Sequence, residues 1–113
     1  MAPSNLRRGL LSEMRKTVLA MMSPQWDLAL EGRSKAEVNK AAQTLLAMQR
    51  ARLRLGNAEL AEIRDQLEAS ERDLLSGIKA LQRSRKKLAN VTTLLAAASE
   101  LAKIVGRIVG LAV

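Results

Sequence analysis

Histidine, cysteine, phenylalanine and tyrosine are absent from this 113-residue chain, and tryptophan occurs once, at position 26. Each absence removes a class of chemistry. Without His, the side chain that most often moves protons near neutral pH is missing. Without Cys there is no thiol nucleophile, no thiolate metal ligand and no disulfide. A Ser nucleophile would need a base beside it, and no glycine-rich phosphate loop is present. Strands draw on aromatic and β-branched residues. Here the apolar content is mostly Leu, Ala and Met, all strong helix formers, and proline occurs only at 3 and 24. The sequence therefore predicts an all-α, non-enzymatic protein with no catalytic residues, no metal and no cofactor.

The scarcity of aromatics also bears on shape. Phe, Tyr and Trp bury the most area per residue, whereas Leu and Ala fill narrow seams between helices. An elongated helical hairpin or coiled coil is expected, a single domain over 1–113 completed by oligomerisation.

Leu6, Leu10, Met14, Val18 and Met21 or Met22 recur at helical spacing. They predict a first helix over 4–22 with Ser4 as its cap. Arg7 and Arg8 before Gly9-Leu10-Leu11 faintly echo a twin-arginine leader, but Glu13, Arg15 and Lys16 break the apolar run, so a structural helix is the expectation. Ser23-Pro24 ends that helix and opens a short one over 24–31, closed by Gly32. Trp26 is expected to anchor the fold-back.

Ser34-Lys35-Ala36-Glu37 has the form of a capping box. From there a single long helix is expected over 35–112. Leucine stands at 46, 53, 60, 67, 74, 81, 88 and 95, every seventh residue. Because an ideal helix drifts about 20° per heptad, so long a strict repeat predicts supercoiling against another helix. Leu46, Leu53, Leu60, Leu67, Leu74, Leu81, Leu88 and Leu95 are thus the candidate oligomer seam. Most residues three places after each leucine are small, which favours close helix approach. Gly56-Asn57 is the one candidate break. The leucine phase runs through it unchanged, which favours continuity, although a turn remains the alternative.

The net charge is +8. Carboxylates at 59, 62, 65, 68, 71 and 73 spread around the helix and read as a salt-bridged, solvated face. Arg72, Lys79, Arg83, Lys86 and Lys87 fall near one helical stripe that could lie along phosphates without reading bases. The tail from Val91 is rich in large aliphatics, Val113 among them. Leu101, Ile104, Val105, Ile108 and Leu111 are its candidate membrane- or partner-contact residues. Ala98, Ala102, Gly106 and Gly110 form a small-residue ridge beside them. Charges at 100, 103 and 107 argue against simple spanning of a bilayer.

Two functional readings result. The first is a structural or adaptor protein that self-associates or binds a helical partner, with its tail packed in the assembly or against an anionic membrane surface. The alternative is a basic accessory protein that binds nucleic acid through the 72–87 stripe. The expected location is cytoplasmic, or peripheral to a membrane.

Overall fold

A computed structural model describes residues 1–111, so Val113 and the expected helix end at 112 lie outside the described residues. The described chain contains helices and no strand: α1 (Pro3–Ala20), α2 (Pro24–Leu30), α3 (Lys35–Asn57), α4 (Leu60–Ala69), α5 (Glu71–Arg85) and α6 (Val91–Ile108). The all-α expectation holds.

The local signals act largely as their chemistry requires. Pro3 occupies the first turn of α1, where a missing N–H costs nothing. The helix therefore starts one residue before the expected position. Its cap is Ala2, with no side-chain bond, instead of Ser4. The Ser23 side chain accepts from the Trp26 backbone N–H at 3.2 Å to open α2. Gly32, at φ +77°, makes the left-handed turn that follows. Ser34 accepts from the Glu37 N–H at 3.2 Å to open α3. The Glu37 carboxylate accepts from the Ser34 hydroxyl instead of reaching the backbone.

The single long helix does not form. A continuous helix over 35–112 would be about 117 Å long at ~1.5 Å per residue. The longest dimension of the molecule is 45 Å. The chain turns at Ala58 and Glu59, both extended, immediately after the Gly56-Asn57 pair. It bends again at Ser70 and turns over 86–90. The Ala58 carbonyl freed at the first turn accepts from Arg7 Nη1 of α1 at 2.6 Å, so the break leaves no orphaned acceptor there. Breaking the helix lets several short apolar faces close on one another, which a straight rod of the same sequence cannot achieve without other copies.

The result is a bundle. α1 packs on α3 and α5, α6 packs on the same two helices from the other side, and α4 closes one end against α1. One continuous core runs through it, with Trp26 and the α1 residues Leu6, Leu10 and Met14 inside. The helices α5 and α6 approach closely at Gly77. A Cβ added there would lie 2.9 Å from Leu101 Cδ1.

Candidate functional site

The leucine column divides on folding. Leu67, Leu74, Leu81 and Leu95 are buried in the chain's own core, and Leu60 and Leu88 pack partly against it. Leu46 and Leu53 remain outside, 47% and 58% exposed. A seven-residue repeat keeps a residue on one helix face across a few turns, and it does so equally well within three separate helices that share a core. The strict phase therefore marks one buried surface contributed by α4, α5 and α6, with its first two members on the outside of α3.

The apolar tail also turns inward. Leu101, Val105 and Ile108 are buried, and Ile104 and Leu111 are half-buried against the same core. Within the small-residue ridge, Ala98, Ala102 and Gly106 are buried, and Ala102 and Gly106 line a groove of about 290 Å³ with Ala47 and Arg50 of α3. The ridge thus lies on the side of α6 that packs on this chain's own α3. No described helix is long and apolar enough to cross a membrane.

The basic stripe stays in solvent. Arg72, Lys79, Arg83, Lys86 and Lys87 are all exposed, and none forms an ion pair among the described residues. Arg72 and Arg83 lie at opposite ends of α5, while Lys86 and Lys87 fall in the turn beyond it. Glu71 and Asp73 in the first turn of α5, with Arg83 and Arg85 in the last, complement the helix dipole.

One polar cluster is buried, and the sequence pattern did not single it out. Glu13 of α1 sits inside the α1–α5 interface. Its Oε1 accepts from Gln82 Nε2 at 3.0 Å and its Oε2 from Arg85 Nη2 at 2.6 Å. Arg85 Nη1 also donates to Thr17 Oγ1 at 3.1 Å, and Thr17 donates to the Glu13 carbonyl at 2.9 Å. Burial by itself would raise the Glu13 pKa. The hydrogen bonds from Gln82 and Arg85, with the nearby positive charges, outweigh burial and hold the carboxyl below its ordinary value. Both oxygens are engaged by side chains of this chain, so the cluster fits a pin between two helices. A signal was present: Glu13 falls within the Leu6–Leu10–Met14–Val18 stripe, a charge at a core register.

Two surface grooves combine apolar and basic side chains. A shallow one of about 1000 Å³ is lined by Leu28, Ala29 and Leu88 with Arg85, Lys86 and Lys87. Between α1 and α3 lies another of about 550 Å³, lined by Leu11, Leu19 and Leu53 with Arg15, Lys16 and Arg52. Leu19 is 57% exposed. On the outward side of α3, Val38, Ala42, Leu46 and Leu53 are all exposed and share one stripe at helical spacing, and Leu53 also lines this groove. Among the described residues no group of acidic side chains is placed to hold a metal ion.

Comparison with protein-family models, with curated proteins and with solved structures finds no match.

Proposed function

We propose that this chain is a non-enzymatic structural or adaptor protein that acts by helix–helix contact, with a second copy or with a different helical protein. The observation that carries the reading is the second apolar stripe of α3. A surface helix ordinarily turns one apolar stripe to the core and polar residues outward. α3 buries Ala41, Thr44, Met48, Ala51 and Leu55, and still presents Val38, Ala42, Leu46 and Leu53 to solvent. The oligomer seam is therefore narrowed to Leu46 and Leu53, joined by Leu19 of α1. Contact of α6 with a membrane or a second copy would require it to leave a core in which Leu101 and Val105 are fully covered. The contact surface is accordingly assigned to α3 and α1.

The test is the mass of the full chain by light scattering over a concentration series, alone, with detergent, with a helical-protein probe, and with duplex DNA or RNA. Association that Leu46→Asp with Leu53→Asp abolishes, at unchanged helicity, supports the reading. A monomer at every concentration that ignores helical probes refutes it.

A basic nucleic-acid-binding role is the second reading. It is favoured by the exposure and lack of ion pairs along Arg72, Lys79, Arg83, Lys86 and Lys87. Phosphate binding is driven by counterion release, so any such complex should weaken steeply with salt and disappear when Lys79, Arg83, Lys86 and Lys87 become Gln. It ranks second because dipole complementation and solvation already account for several of these charges.

A further inference from the structure

The groove between α1 and α3 has apolar walls and a rim of one sign. Leu11, Leu19 and Leu53 supply the walls, and Arg15, Lys16 and Arg52 the rim, with no carboxylate among the lining residues. Lys16 lies 3.9 Å from Glu13, while Arg15 and Arg52 form no ion pair among the described residues. The Nε of Arg52 is buried without a hydrogen-bond partner.

The two helices that form the groove carry a net charge of the same sign. α1 and α3 together carry nine cations: Arg7, Arg8, Arg15, Lys16, Lys35, Lys40, Arg50, Arg52 and Arg54. Against them stand two carboxylates, Glu13 and Glu37. Glu13 is turned inward onto Arg85, and Glu37 is held by Arg33.

This charge discriminates between occupants. A second copy docked groove to groove would set two identical cationic rims against each other with no lining carboxylate to separate them. The acidic helix of this chain, α4, offers no better fit. Its Ile63 and Leu67 are buried and Leu60 packs on the core, so its outer face brings carboxylates without an aliphatic stripe. Bare nucleic acid would meet the cations but leave Leu19 and Leu53 in water. A helix with an i, i+3, i+4, i+7 aliphatic face flanked by Asp or Glu meets both requirements. We infer that the α1–α3 groove docks an acidic amphipathic helix of another protein, an assignment that rests on the helix-contact reading of the chain.

Two synthetic helices with the same leucine face, one flanked by Glu and the other by Lys, separate the outcomes. Each is titrated into the full chain by fluorescence anisotropy at low and high salt. The Glu peptide binds, its affinity falls as salt rises, and the Lys peptide does not bind. Leu19→Ser with Leu53→Ser, both at exposed positions, weakens binding by about tenfold or more while circular dichroism is unchanged. Arg15→Glu shifts the preference toward the Lys peptide. Arg15 is the charge to reverse because it is exposed, whereas Arg52 has the buried Nε. Equal affinity for the two peptides, or undiminished affinity in the leucine variant, overturns the inference. A dimer that the leucine variant dissolves also overturns it, and leaves the helix-contact reading standing. Binding of DNA or phosphatidylserine vesicles in place of either peptide defeats both.

Discussion

Replacing Arg85 by Met tests what holds α1 on α5. Arg85 reaches Glu13 Oε2 at 2.6 Å, Thr17 Oγ1 at 3.1 Å and the Glu13 carbonyl at 3.4 Å. Methionine keeps much of the aliphatic stem and removes all three. The carboxylate left behind is the larger concern. Removing one partner of a fully buried pair costs on the order of 3–5 kcal/mol, because the other charge remains in low dielectric. Here the side chains of Arg85 and Glu13 retain 16% and 10% accessibility, and Gln82 and Lys16 still face the carboxylate. The expected loss is therefore smaller, about 2 kcal/mol in urea unfolding. For a domain of this size that corresponds to a melting temperature lower by on the order of 10 °C. Adding Glu13→Leu to Arg85→Met removes the uncompensated charge, so the double variant should be more stable than Arg85→Met alone. An Arg85→Met variant within about 0.5 kcal/mol of the parent, or a double variant weaker than the single, would show that the cluster is not a pin.

Glu13 also sets a pH dependence. Its folded pKa lies below the ordinary value of 4.5, so its ionised form contributes stability that is complete above that value. The contribution is lost as pH falls through the folded pKa, and the stability gap between the parent and Glu13→Gln should shrink below pH 4.5 and stay constant above it. Gly9 has nothing within 4 Å of a built Cβ, whereas Gly77 has Leu101 Cδ1 at 2.9 Å. Gly9→Ala should raise stability by up to ~1 kcal/mol, while at Gly77 the same gain in propensity is offset by a clash of about 1–3 kcal/mol. Thermal melts that rank Gly77→Ala above Gly9→Ala would contradict that packing. Leu74→Ala and Leu81→Ala should each cost about 2–5 kcal/mol, whereas Leu46→Ala and Leu53→Ala should cost under about 0.5 kcal/mol. Equal costs in chemical denaturation would place all four in one environment. Ile104→Asp with Ile108→Asp should abolish the cooperative melt itself, and a folded variant would mean that α6 is dispensable to the core.

The helical class, the short α2 with its Ser23 cap and the start of α3 at Ser34 were legible because each is decided within a few residues. The ends of α3, α4 and α5 were not. The bend between α4 and α5 falls at Ser70, inside the unbroken leucine phase, where no break was expected. Ser70 in fact makes no side-chain cap bond, so the bend follows from tertiary packing. From Leu60 onward the heptad column marks the buried face, while Leu46 and Leu53 stay exposed, and a one-dimensional period does not say whether such a face is met by another copy or by the same chain folded back. The charged residues mislead in the same way. Arg85 reads as one more cation of a solvated cluster until α1 brings Glu13 beside it, and that meeting depends on a fold that local pattern does not specify.

The pin joins residues 69 and 72 positions apart in the chain. During synthesis α1 therefore emerges long before the helix that neutralises its inward carboxylate. Until α5 follows, Glu13 keeps water on the face that α1 will later bury, and the helix has reason to stay solvated instead of collapsing on the first apolar segment it meets. Closure of so long a loop is entropically slow, though its cost grows only logarithmically with length. Pulse-labelling hydrogen exchange during refolding is expected to protect α5 and α6, neighbours in the chain, before α1.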